Sequence, residues 1–553
     1  MIYTPSREFS FMCFIKNQTL AALLVVISLL LVPAASHAFD EQLALKQFQS
    51  YARDKNIVFT FSATERTGDN SLIIKNADYY DEKLDLRQKA ESVKLGNITQ
   101  NSDGGLQYES IEVLNYSQTS QLANETVIAT IERIITNGLK FDGTSNNANA
   151  FWPTSTSKAE LSNLEMSIDQ NGRKGKIYVP SITMENVNQI GTRHIFAKSV
   201  SIAPSTGTLD TNNKPAQFSL GAIQLNDTEF FGIKGLDIGL VNVATFTSSL
   251  ELKNSKTLDM KFEGFSIENF FSADLGFEGS KLVSDKDSTV ILKPFSLSLD
   301  NQEFAGWING KGTTINNKTD NTVATKFDIN GLYLDLQKIE TTGINPQTLE
   351  TLKALELLNP EGNLRLSVLW NRETGLLDIN NYELEVEGDA TVKMSLRITG
   401  YTEEIANSVS RTANQINTEK DPQKRQALGL QLLASLAGLK VERLELALAD
   451  NSLLDRVVNY QAGKLKQEPD RIKGIVGPMT GIVLAPYQVP ELADQTSAAL
   501  GTFMQGNKTL RIISEPESGL ALTEILALIS GARAGRVSTA ELVERFNLRI
   551  LAE

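Results

Sequence analysis

The sequence predicts an α+β protein that is predominantly β: an extended antiparallel amphipathic sheet (open, a sandwich or a partial barrel) followed by a helix-rich C-terminal part. Three observations predict it. From about Leu161 to Gly400, apolar residues recur at every second position, in sets such as Leu164, Met166, Ile168; Leu236, Ile238, Leu240; and Leu258, Met260, Phe262. The series continues with Phe295, Leu297, Leu299; Leu332, Leu334, Leu336; Leu364, Leu366, Val368, Trp370; and Val392, Met394, Leu396, Ile398. Turn-forming clusters such as Asn171 with Gly172, or Asn371 to Gly375, separate the sets, so the strands read as consecutive hairpins with one dry face and one wet face. After Gly400 the apolar period lengthens to that of helices.

The first element is an export signal. Arg7, Glu8 and Lys16 precede the apolar run Leu20 to Val32, and Pro33 leads into Ala34, Ala35, Ser36, His37 and Ala38. A run of thirteen residues is too short to span a hydrocarbon core, which needs about 20. Ser36 and Ala38 give the small-x-small pattern that signal peptidase accepts. Cleavage is expected between Ala38 and Phe39, leaving no stable transmembrane segment in the mature chain. An uncleaved anchor reaching back through Phe11 to Ile15 is the rival reading, and Lys16, Asn17 and Gln18 interrupt it.

Cys13, the one cysteine, falls within the signal, so the mature chain is expected to be cysteine-free and to fold without disulfides. For an exported chain of this length, that favours the periplasm or secretion from a Gram-negative cell envelope over the endoplasmic route. The net charge is −13, or −14 once Arg7, Lys16 and Glu8 are removed. Such a chain repels phosphate backbones, so nucleic acid is not an expected partner.

After the signal (1–38), the region 39–142 reads as an N-terminal helix from Asp40 to Asn56 followed by β-hairpins. Ile57 to Thr64 and Ser71 to Tyr79 flank the turn residues Thr67, Gly68, Asp69 and Asn70; Ser92 to Ile98 and Leu106 to Leu114 bracket Asn101 to Gly105. The region 143–400 is the amphipathic β region, interrupted by one helix with Asn345 as cap, Pro346 at its first position and a stripe of Leu349, Leu352, Leu355 and Leu358. That helix is expected to pack on the sheet. Within 401–553, helices are expected at Glu403 to Asn417, Asp421 to Leu439, Ser452 to Lys466, Pro490 to Gln505, Leu522 to Ile529 and Ser538 to Phe546, with short strands at Val441 to Leu448, Leu510 to Ser514 and Leu548 to Leu551.

Material for chemistry is sparse. One histidine, His194, follows the signal, so His and Cys zinc clusters are excluded and no metal or cofactor is expected. At a strand end, His194 reads as an exposed side chain rather than a general base. Ser155 to Lys158 has the Ser-x-x-Lys spacing of penicillin-recognising enzymes, but it sits in a Ser/Thr run that reads as a loop, and the Lys-Thr-Gly companion is missing. Asp285 to Ser288 resembles part of a calcium loop and reads better as a hairpin turn. Trp152, Trp307 and Trp370 are scattered, with no carboxylate pattern around them.

In overall texture, with its export segment, long runs of amphipathic strands such as Leu332 to Leu336 and Val392 to Ile398, and a helical C-terminal part, the chain resembles the AsmA-like and YdgA-like proteins of bacterial envelopes. The resemblance covers Ile57 to Leu551 by pattern and carries no functional residue across. AsmA-like proteins are typically membrane-anchored, and the cleavable signal departs from that. The expected function is that of a non-catalytic envelope protein binding lipid acyl chains or another envelope protein through an apolar groove that includes Leu332, Leu334, Leu336, Leu364, Leu366 and Val368. The alternative is an envelope enzyme acting on polysaccharide through paired carboxylates.

Overall fold

The computed structural model describes residues 57–81, 86–100, 106–122, 125–141, 153–170, 173–190, 194–210, 215–230, 235–252, 256–273, 286–338, 345–419 and 421–553. The expected signal peptide, the Ala38 and Phe39 cleavage point, the helix from Asp40, and Trp152 lie outside them. Two compact units divide the chain, Met1–Gly232 and Ile233–Glu553.

In the first unit, sequence neighbours pair antiparallel. β1 (Ile57–Thr60) and β2 (Ala63–Thr67) share the edge of β3 (Ser71–Asp81), whose other edge takes β4 (Leu86–Gly96). After a small ribbon of β5 (Thr99–Gln100) and β6 (Leu106–Gln107), the ladder resumes through β7 (Ser110–Leu122) and β8 (Glu125–Asn137). The short β9 (Lys140–Phe141) and then β8 pair with β10 (Pro153–Gln170), which pairs with β11 (Arg173–Ile190). β12 (His194–Ile202) and β13 (Ser205–Asp210) divide β11 between them, and β14 (Pro215–Leu220) and β15 (Ile223–Phe230) pair back onto β13 and β12. Ser155 to Lys158 therefore belongs to β10 and is not a loop: Ser155 faces Asn188, and the Thr156 hydroxyl donates to the Asn137 carbonyl at 2.8 Å.

One face of this ladder is fully buried, through Leu72, Ile74, Ile111, Val113, Ile134 and Leu161. Its alternation slips by one residue along a line that crosses the strands. Buried positions run Leu72, Ile74, then Ala77 on β3; Ile111, Val113, then Tyr116 on β7; and Leu161, then Leu164 on β10. At each slip stands an asparagine in the left-handed region: Asn76 (φ 51°), Asn115 (φ 49°) and Asn163 (φ 54°). Asn115 lies opposite Glu91 and Asn163 opposite Glu132, and each asparagine amide donates to that carboxylate. A β-bulge of this kind bends the strand and keeps the apolar residues on one side.

The second unit continues the hairpin pattern with strands broken along a similar line. β16 (Gly235–Val243) and β17 (Phe246–Glu251) are followed by β18 (Thr257–Phe262) and β19 (Phe265–Ala273), then by β20 (Ser288–Leu292) and β21 (Phe295–Leu299). β22 (Gln302–Trp307), β23 (Asn309–Asn317) and β24 (Thr322–Leu334) complete this part. Pairing runs β17–β18–β21–β22 on one side of the break and β16–β19–β20–β23 on the other. Gly264 makes one break possible. Its φ is +115°, and a Cβ there would lie 1.9 Å from the Ala244 carbonyl oxygen. Because of a slip beside Gly239, Val241 and Val243 join Ile238 among the buried residues, while Leu240 pairs with Glu268. The set Leu236, Ile238, Leu240 therefore does not share one face.

β24 passes into an antiparallel run of β25 (Glu361–Asn371), β26 (Leu377–Val386), β27 (Ala390–Thr399), β28 (Lys440–Asp450), β29 (Thr509–Ser514) and, beyond it, β31 (Leu548–Ala552), with one register shift in each of the first four pairings. The short β30 (Leu520–Ala521) pairs with the start of β28. Among the described residues the α-helices are α1 (Pro346–Ala354), α2 (Glu403–Thr418), α3 (Pro422–Ser435), α4 (Leu453–Leu465), α5 (Pro469–Leu484), α6 (Pro490–Phe503), α7 (Leu522–Arg533) and α8 (Thr539–Phe546). All but α5 match an expected helix to within a few residues. Caps follow the sequence: the side chains of Asn345, Thr402, Asp421 and Ser538 accept from the first-turn amides of α1, α2, α3 and α8.

Polar contacts tie α4 to α6 to the strand ends. Asp450, buried at the end of β28, accepts from Leu454 N at 2.8 Å and Asn507 N at 3.1 Å. Arg456 of α4 pairs with Asp389 in the β26–β27 turn and donates to the Leu355 carbonyl after α1 at 2.6 Å. With the Thr351–Tyr460 hydroxyl contact at 3.0 Å, these bonds dock α1 on α4. Along β31, the amide of Ile550 donates to the Gln495 side chain of α6 at 3.4 Å, so a helix occupies an edge that would otherwise offer itself for strand addition.

Candidate apolar trough

The antiparallel run of β24 to β31 separates its chemistry by face. Cross-strand partners on one side read Ile329, Leu364, Leu384, Val392, Leu448, Leu510, Ala552 in one row. The next row reads Phe327, Leu366, Tyr382, Met394, Leu446, Ile512, Ile550. Seven strands spaced by about 4.8 Å make each row about 29 Å long. These registers place Leu364, Leu366 and Val368 together on the apolar side. Leu332 joins them opposite Gly362, and Leu334 extends the face to Ala305 on β22. Leu336 lies just past the end of β24, where its amide donates to the Leu358 carbonyl at 2.8 Å.

Among the described residues, no second layer closes this face. Leu384, Val392, Leu446 and Ile512 remain 37 to 43% exposed, whereas Trp370 and its cross-strand partner Val323 are buried. At its edge Trp370 packs with Val323 and Ala406 of α2, and its indole N–H donates to the Tyr401 carbonyl at 2.7 Å. Beyond β24 the apolar surface continues as an aromatic line in which Phe246, Phe262, Phe295 and Trp307 face one another across four strands. Phe295 and Trp307 stack at 4.3 Å, and the Trp307 indole donates to the Lys293 carbonyl at 3.2 Å.

The opposite face is an ion-pair lattice. Glu383 sits between Arg365 and Lys393, Asp378 pairs with Arg397, and Glu445 lies between Arg443 and Arg511. Arg511 also reaches Glu553 at 2.8 Å, and Arg549 reaches Glu515 at 2.7 Å. Hydrogen bonds from Lys393 and then Arg365 hold the Glu383 carboxyl below its usual range, although burial opposes this. For Glu445 burial is the largest influence and raises the pKa, yet hydrogen bonds from Arg443 and Arg511 together outweigh it and leave the value lowered.

The remaining singled-out residues do not converge on a site. His194 opens β12 opposite Ile190. Asp287, just before β20, accepts the Asn316 amide at 2.7 Å and so belongs to a strand junction. Among the described residues there is no group of three or more His, Cys, Asp or Glu side chains placed to hold a metal, and no helix is long and apolar enough to cross a membrane. A family model described only as an uncharacterized protein matches residues 383–553, from within β26 to the C-terminus. No curated protein matches the chain.

Proposed function

We propose that the chain is an exported, non-catalytic envelope protein that holds the acyl chain of a lipid against the apolar face of β24 to β31. The observation that carries this reading is the open face itself: two unbroken apolar rows, partly in solvent, backed by a wet face whose charges are paired. Contiguous apolar surface of this extent is uncommon on a soluble protein unless something binds it. A single acyl tail spans about half of a hydrocarbon core of roughly 30 Å, so a face about 29 Å across accommodates one lying along it. The signal pattern of residues 1–38 supports the envelope as the place of action, as does the resemblance in strand pattern to AsmA-like and YdgA-like proteins.

Titration with a fluorescent fatty acid, followed by anisotropy, tests the proposal. Wild type is expected to bind saturably, and Val392→Glu combined with Leu446→Glu to weaken binding about tenfold or more by placing carboxylates in the trough. Arg397→Gln, on the opposite face, is expected to bind as wild type does. Absence of saturable binding, or equal binding by the double variant, would exclude the trough as an acyl site.

A further inference from the structure

The helix α5 carries a second apolar surface that no described residue covers. Its inner side packs on α6, where a Cβ at Gly477 would lie 2.8 Å from the Ser497 carbonyl oxygen and 3.5 Å from Gly501. Ile472 and Val476 on that side join the cluster with Val458, Ala462 and Met504. The outer side is as apolar as the inner one. Ile475, Met479, Ile482 and Val483 follow helical spacing and continue into Tyr487; Ile482 is 73% exposed and Val483 61%. Beside this stripe run Gly474, Pro478, Gly481 and Ala485, also four, three and four residues apart, and the seventeen residues Gly474 to Pro490 contain no charge. A helix apolar all round is normally buried on all sides.

We infer that this face joins two copies of the chain, with their α5 helices antiparallel across a two-fold axis. An antiparallel two-fold sets like stripes side by side, the large residues of one helix against those of the other and the small stripes against each other, where glycine and alanine permit close backbone approach. Charge matches this direction. Lys464 and Lys466 at the end of α4, with Arg471 and Lys473, against Glu468, Asp470 and the Asp455 carboxylate that pairs with Lys473 at 2.6 Å, leave +1 beside the start of α5, while Glu491 and Asp494 give the region past its end −2. Antiparallel pairing sets each basic end beside the partner's acidic end. Residues 421–553 hold fifteen Lys and Arg against fifteen Asp and Glu, so this part of the sequence carries no net charge and the chain's −13 lies before it. The five exposed side chains offer roughly 500 Å² of apolar surface, close to the apolar share of the about 800 Å² per partner in a standard interface.

The inference is independent of lipid binding. Sedimentation velocity of the full chain, in the processed form that accumulates in a Gram-negative host, is expected to show a dimer at concentrations of about 100 μM or below. Ile482→Glu is expected to raise the dissociation constant at least about tenfold with an unchanged circular dichroism spectrum, because the side chain is already in solvent. Arg471→Glu alone is expected to weaken the dimer, and Glu491→Arg added to it to restore much of the loss. A monomer at about 100 μM, or a dimer indifferent to Ile482→Glu, would overturn the inference. Failure of the charge swap to restore association would overturn the antiparallel register. A monomeric wild type that co-sediments with phosphatidylcholine vesicles, and loses this with Ile482→Glu, would assign the face to a membrane instead.

Discussion

Asn76, Asn115 and Asn163 hold left-handed backbone in the middle of strands, where most side chains would crowd the following carbonyl. Their amides also bond outward, to Ser62, Glu91 and Glu132 respectively. Asn115→Ala keeps the strained backbone and loses the bond, so it is expected to lower stability by about 1–2 kcal/mol in urea denaturation, whereas Asn115→Gly should cost less because it relieves the strain. A result in which alanine and glycine are equally tolerated would contradict the role given to the backbone. Gly264→Ala is a more severe case, since its Cβ would meet the carbonyl oxygens of residues 243 and 244 at 2.2 and 1.9 Å; loss of cooperative folding by circular dichroism is the expected outcome. Neither line of slips was legible in the sequence. An asparagine inside an alternating pattern looks like one irregular position, and its alignment with others across the sheet depends on register. For the same reason Leu240 was grouped with Ile238 although a slip separates them.

Among the elements, seven helices could be read from caps and apolar stripes, and α5 could not. Gly474, Gly477, Pro478 and Gly481 are all unfavourable in an isolated helix, and α5 forms because Gly477 allows close contact with α6. Tertiary contact overrode local propensity there. The ion-pair lattice behind β25 to β31 carries a pH dependence of definite sign. Glu383 and Glu445 are both more acidic folded than their reference value of 4.5. Their contribution is therefore full above that value and is lost as pH falls through the lower folded values. Glu383→Gln is expected to reduce stability at neutral pH by about 1 kcal/mol and to flatten the loss of stability below pH about 4.5. Urea denaturation at several pH values checks this, and an unchanged acid limb would remove Glu383 from the account.

At the scale of the molecule, the predominance of β structure, the hairpin order and the helical C-terminal part were all legible, because each rests on local periodicity and turn chemistry. The choice between an open sheet and a sandwich was not. It depends on where the helices dock: Arg456 and Tyr460 hold α1 on α4, and Asp450 holds the backbone after α6 at Asn507, through contacts more than fifty residues apart in sequence that no window reveals. Leu332, Leu334, Leu364, Leu366 and Val368 were found because each stands in a clean alternating set on one strand or two neighbours. Leu384, Val392, Leu446 and Ile512 complete the apolar face, and only the strand registers bring them together.

Native mass spectrometry of the chain, purified gently from an envelope fraction and followed by lipid extraction, tests the central claim most directly. The account predicts a bound acyl lipid in stoichiometric amount that is absent from the Val392→Glu, Leu446→Glu variant. A lipid-free wild-type mass would contradict it.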